Sequence, residues 1–128
     1  VKDPRAPLLI PMQTGRGQNS RGHWRVAHKR NLAEQDVVLW ELARVTKPDI
    51  PCSCILTRVA PSRGLDDDNL AGSLKNVRDA VAKWLGVDDG KRETVRYRYS
   101  QRRGPWAVQI EFAEPMRGAQ FILDLETL

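Results

Sequence analysis

Between residues 70 and 85 the large apolar side chains fall at Leu70, Leu74, Val77, Val81 and Trp84 or Leu85. Steps of three and four residues keep them on one side of a helix at ~100° per residue. A helix with a continuous apolar stripe must be buried against a second layer, so this segment sets the terms for the rest of the fold. Asp68 or Asn69 is expected to start it, with the aspartates as N-cap and dipole partners. Gly86 is placed to end it, and Asp88-Asp89-Gly90 follows as a turn.

The other elements are read around that helix. Leu8-Leu9-Ile10 predicts a short strand stopped by Pro11. From about Arg25 to Val45, Leu32, Val38, Leu39, Leu42 and Val45 recur at helical spacings, and the proline-containing stretch from Thr46 to Pro51 closes that helix. Cys52 to Ala60 predicts a strand with Cys54, Leu56 and Arg58 on one side and Ser53, Ile55, Thr57 and Val59 on the other. Val95, Tyr97 and Tyr99 alternate with Arg96 and Arg98. Trp106, Val108, Ile110 and Phe112 alternate with Gln109 and Glu111, so the two runs predict a hairpin with its turn at Gln101 to Pro105.

The expectation is one domain over residues 1–128 of α/β (α+β) class, with a mixed sheet of about four strands and two main helices. Its recognisable core runs from about 8 to 112. Residues 113–128 are open to an extra strand, a short helix or a segment packed on a second subunit. The chain's 128 residues suit a single domain.

Leu8-Leu9-Ile10 is far shorter than a signal-peptide core or the roughly 20 apolar residues of a membrane span, so a cytoplasmic protein without membrane contact is expected. Cys52 and Cys54, two apart on a strand, lack easy disulfide geometry and are expected as buried core thiols. His23 and His28 lie too far off in sequence to complete a zinc site with them.

Charge is unevenly spread. The net charge is +5, with 21 basic against 16 acidic residues. Residues 1–31 hold Lys2, Arg5, Arg16, Arg21, Arg25, Lys29 and Arg30 against Asp3 alone, and residues 91–103 hold Lys91, Arg92, Arg96, Arg98, Arg102 and Arg103 against Glu93. Each cluster suits a phosphate backbone, or else is solvated lysine and arginine serving solubility; that the two flank one acidic centre favours the first. Arg16, Arg21, Arg25, Lys29, Arg30, Arg63, Arg96, Arg98, Arg102 and Arg103 are the candidate nucleic-acid contacts. The stretch from Gln13 to Gly22, rich in Gly, Arg, Asn and Ser, reads either as a surface loop that orders on a polyanion or as a plain disordered loop.

Between these clusters lies the acidic centre. Leu65-Asp66-Asp67-Asp68-Asn69 precedes the striped helix and Val87-Asp88-Asp89-Gly90 follows it. Each taken alone is explained by a helix cap or an Asp-Gly turn. Together, at opposite ends of one helix and bracketed by basic segments, they form a like-charged set that a hard cation such as Mg²⁺ would neutralise. A cation so held orients a phosphodiester and activates water. On the helix face of Asp68 follow Gly72, Lys75 and Asp79, and Lys75 has two options: an i,i+4 bridge to Asp79, or a reach back toward the metal. The calcium-loop spacing of an EF-hand is absent, and no Ser, His and acid combination points to a nucleophilic enzyme.

These residues resemble the RusA-type Holliday junction resolvases, many of them carried by phages and prophages. The family's Asp-x-Asp-Asn before a helix is similar to Asp66-Asp67-Asp68-Asn69, its lysine four residues before an aspartate to Lys75 and Asp79, and its Asp-Asp turn to Asp88-Asp89. About 100 residues, from Leu8 to Phe112, follow its order of elements. The resemblance implies a homodimeric endodeoxyribonuclease for branched DNA such as four-way junctions. In it Asp66, Asp68 and Asp89 hold a catalytic Mg²⁺ (Mn²⁺ as substitute) and Lys75 assists the transition state; the mechanism expected here leaves open a second ion shared with Asp88. Two departures stand out: Lys75 comes six residues after Asn69 where the family has three, and Pro11-Met12-Gln13 replaces its Pro-Pro-Ser. The alternative is a non-catalytic DNA-binding module whose acidic residues serve only as cap and turn.

Overall fold

The computed structural model describes residues 3–15, 24–87 and 94–115, with the backbone alone at 24–27. Its elements are β1 (Leu8–Ile10), α1 (Trp24–Leu42), β2 (Cys52–Ala60), α2 (Asp67–Ser73), α3 (Lys75–Leu85), β3 (Val95–Arg103) and β4 (Ala107–Ala113). The strands form one mixed sheet in the order β1-β4-β2-β3, so the fold is α+β.

β2 occupies the centre because it is the strand whose two sides are most completely apolar or covered. It pairs parallel with β3, Leu56 against Tyr99, and antiparallel with β4, Leu56 against Ile110. The expected hairpin is therefore corrected: β3 and β4 follow one another in sequence but lie on opposite sides of β2. Alternating apolar residues specify which side of a strand is buried, not which strand lies beside it. Gly104, Pro105 and Trp106 carry the chain across the end of β2, where the Gly104 N–H donates to the Ala60 carbonyl at 3.0 Å. A Cβ at Gly104 would lie 3.0 Å from Val59 Cγ1, so this close crossing favours glycine.

Side chains on one face of the sheet, Leu8, Ile10, Cys54, Leu56, Val108, Ile110 and Phe112, join Val38 and Leu42 of α1 and Leu70, Leu74, Val77, Val81 and Leu85 in a single core. Burial at about 25 cal/mol per Å² of apolar surface is the main force holding these layers together. Trp84 packs on Phe112 with ring centroids 5.7 Å apart. The stripe from Leu70 to Leu85 is thus buried as expected, and Gly86 caps α3 at φ 73°. Both thiols are free and buried, and burial pushes the pKa of each above its ordinary value.

Two helical expectations are corrected. Leu32 is 45% exposed, and the buried line of α1 runs Glu34, Val38, Leu42, continuing to Val45 beyond the helix. Leu32 stands about 120° around the helix from Val38 at ~100° per residue, off that line. The buried place falls instead to Glu34, whose carboxylate accepts from Asn76 Nδ2 at 2.6 Å while the same amide donates to Asn31 Oδ1 at 2.9 Å. The striped helix is also two helices, divided at Leu74 (φ −101°, ψ 4°). At the break Ser73 Oγ donates to the Leu70 carbonyl at 2.8 Å, and the Leu74 N–H is shared between the carbonyls of Leu70 and Ala71. A serine hydroxyl that turns back on its own helix competes with the backbone ladder and bends it.

Candidate active site

The acidic motif starts α2. Asp66 is the N-cap: its backbone is extended (φ −67°, ψ 169°), its Oδ1 accepts from the Asn69 N–H at 2.9 Å, and its carbonyl accepts from the Leu70 N–H at 2.8 Å. Asp67 and Asp68 occupy the first turn, where the helix dipole favours negative charge. All three carboxylates face solvent. The helix begins one or two residues earlier than the pattern predicts, because the strongest cap is the first aspartate of the run rather than the last.

What fixes that cap is a clamp from β3. Gln101 donates from Nε2 to the Leu65 carbonyl and accepts at Oε1 from the Leu65 N–H, each at 2.8 Å. One primary amide thereby satisfies both backbone groups of the residue before Asp66, as a neighbouring strand would. A Cβ on Gly64 would come within 3.0 Å of the Gln101 amide, so the loop passes where glycine fits best. Sequence reasoning assigned Gln101 to a hairpin turn. Its place in β3, level with Arg58 in β2, became visible only with the sheet register.

Lys75 opens α3 and takes the first of its two options. Its Nζ lies 3.4 Å from Asp79 Oδ2, across the face of α3, and Arg78 Nη2 lies 3.9 Å from Asp79 Oδ1. Arg78 also donates to the Tyr99 hydroxyl at 3.3 Å, tying α3 to β3.

Among the described residues no three acidic, histidine or cysteine side chains come together in a way that would hold a metal ion. Asp88 and Asp89 lie outside the described residues, so the described part of the expected centre is Asp66 and Asp68. Those two suit a hard divalent cation. Mg²⁺ takes oxygen donors, keeps several waters and needs only one or two carboxylates, and the cap bond uses one of the roughly four lone-pair sites of the Asp66 carboxylate.

The basic candidates divide. Arg16 and Arg21 lie outside the described residues, and Arg25 is placed on α1 by its backbone alone. Lys29 and Arg30 are exposed near the start of α1. Arg96, Arg98 and Arg102 alternate along β3 on the sheet face opposite the helices. Arg63, Arg102 and Arg103 meet at the end of the sheet beside the buried Arg58, a residue sequence reasoning placed only in a strand. The available signal was a charged residue on the same side of β2 as Cys54 and Leu56.

No protein-family model, curated protein or solved structure matches this chain. Among the described residues no helix is long and apolar enough to cross a membrane.

Proposed function

We propose that the chain is a Mg²⁺-dependent, structure-specific endodeoxyribonuclease of the RusA type that hydrolyses phosphodiesters in branched DNA. The observation that carries this reading is the placement of an exposed pair of carboxylates, Asp66 and Asp68, on a clamped helix start that follows directly from an arginine-lined loop. Acid at the centre supplies oxygen donors, and base around it supplies the grip on phosphate.

In this reading Asp66 and Asp68, joined by Asp88 and Asp89 from beyond α3, hold the ion. When bound, Mg²⁺ lowers the pKa of a water and offsets charge on the phosphate. The protein's own part is positional: the Gln101 clamp holds Leu65, the cap bond to Asn69 fixes the Asp66 carboxylate, and Lys29, Arg30, Arg63, Arg96 and Arg98 hold the flanking backbone. Lys75 joins the reaction only after leaving Asp79, a weak exposed pair worth under about 1 kcal/mol. A two-fold substrate cut twice suits a homodimer, and the exposed Leu32, Val37 and Trp40 of α1 supply an apolar face for a second copy.

The second reading, a DNA-binding module without catalysis, draws on the two bonds that give these residues structural work: Asp66 to Asn69, and Lys75 to Asp79. Purified protein incubated with a labelled four-way junction or linear duplex, in Mg²⁺ or in EDTA, separates the two. The nuclease reading expects symmetrical nicking of the junction in Mg²⁺ alone; tight binding without cutting in either buffer would favour the module.

A further inference from the structure

We propose that the recess of about 300 Å³ at the end of β2, lined by Arg58, Ser62, Arg63, Gln101, Arg102 and Arg103, is a binding site for a phosphate group. Four guanidinium groups line it, and none of its lining residues is acidic. The ion pairs described elsewhere, Arg5 with Glu114 and Asp79 with Lys75 and Arg78, do not include these arginines. Arg102 donates to Gln109 Oε1 at 2.8 Å and Arg103 to the Pro61 carbonyl at 3.3 Å, both neutral acceptors, so the positive charge is not cancelled.

Arg58 marks the recess as built for a ligand. It is 4% exposed, yet its Nε has no hydrogen-bond partner. Its Cζ lies over the Trp106 ring, 5.2 Å from the centroid, within cation–π range. Burying a charged, unpaired guanidinium is costly, and cation–π stacking offsets only part of that cost. A phosphate oxyanion supplies what is missing: several acceptor oxygens matched to guanidinium forks, with a charge opposite to the cluster. Ser62 adds a hydroxyl donor. The same loop runs on through Gly64 and the clamped Leu65 to Asp66, so an occupied recess sits at the entrance to the acidic helix start.

The phosphate comes either from a nucleic-acid backbone or from a free phosphate; the first source alone rests on the nuclease reading above. The test is a titration in metal-free EDTA buffer at low salt, followed by the arginine Nε–Hε NMR signals and by calorimetry. Inorganic phosphate is one ligand, and a short single-stranded oligonucleotide with internal phosphodiesters only is the other. Saturable movement of the Arg58 Nε–Hε signal is expected, with affinity falling about tenfold or more when Arg63→Gln and Arg103→Gln are combined, as loss of charge-assisted bonds requires. Arg44→Gln, on an exposed residue beyond the end of α1, leaves binding unchanged. Because Arg63 and Arg103 are exposed, the outcome does not depend on whether an Arg58 variant folds. Movement with both ligands assigns the backbone as source, and movement with inorganic phosphate alone assigns free phosphate. No saturable movement with either, or equal affinity in the double variant, would overturn the proposal. The titration contains no metal and is therefore independent of cleavage: a protein that fills this recess in EDTA but cuts no junction in Mg²⁺ would contradict the nuclease reading and leave the phosphate site standing.

Discussion

Gln101 and Leu65, 36 positions apart, exchange two hydrogen bonds of 2.8 Å through one side-chain amide, and this pairing holds the loop that delivers Asp66 to the start of α2. Removing the amide leaves the backbone N–H and carbonyl of Leu65 without these partners in a half-buried place. Gln101→Ala is therefore expected to lower unfolding free energy by about 1–3 kcal/mol, measured by urea denaturation. Gly64→Ala alone is also destabilising, because its new Cβ meets the Gln101 amide, and it costs measurably less in the Gln101→Ala background. Additive effects of the two changes would show that the clamp and the glycine are unrelated.

The two roles of Asp66 separate by substitution. Asp66→Ala removes the cap and costs about 0.5–2 kcal/mol, whereas Asp66→Ser keeps a capping oxygen and most of the stability. If Asp66 also holds the ion, Asp66→Ser folds like the parent but loses Mg²⁺-dependent cleavage. Melting curves and junction cleavage measured side by side would reveal a purely structural Asp66, because the serine variant would then cut normally.

Glu34 and Asn76 connect α1 to α3 across the core boundary. Asn76→Ala strips the 2.6 Å donor from a buried carboxylate, and a loss of about 1.5–3 kcal/mol is expected, the range for hydrogen bonds to charged groups. Denaturant midpoints in the Glu34→Gln background give the check: Asn76→Ala should cost less there, since the remaining acceptor is neutral.

The thiols predict an alkaline loss of stability. Burial raises the folded-state pKa of Cys52 and, further, of Cys54, so the unfolded chain releases these protons first. A group whose folded pKa is raised contributes stability that is complete below the unfolded value and lost as pH rises through the folded one. Urea midpoints should therefore fall as pH rises above about 8.5, the ordinary thiol value. Reaction with a thiol reagent at pH 8 should be slow in the native protein and fast in urea; equal rates would place the cysteines at the surface.

The elements legible from the sequence were those fixed by local periodicity. The stripe from Leu70 to Leu85 needs only its own spacing to announce a helix, and Gly86 ends it for reasons confined to one residue's conformation. The break at Leu74 and the earlier start at Asp66 turn on local hydrogen bonds that apolar spacing does not register, and the other failures depend on partners distant in sequence. The alternation in β3 and β4 is the same whether they pair with each other or flank β2, so the hairpin could not be told from the split arrangement. Leu32 is exposed because the core accepts Glu34 with Asn76 from another helix. For the candidate site, the acidic cap was legible because capping is local; Gln101 and Arg58 acquire their roles from register and were not.

The most direct test of the central claim compares the parent protein with Asp68→Asn on a labelled four-way junction, scoring cleavage in Mg²⁺ and binding in EDTA. Asp68 is exposed in the first turn of α2, so the substitution is expected to spare the fold. Loss of cleavage with binding retained or strengthened, as removal of a charge that repels DNA requires, is the predicted result. Cleavage at the parent rate by Asp68→Asn, or none by either protein in Mg²⁺, would contradict the assignment of this acidic helix start as a nuclease centre.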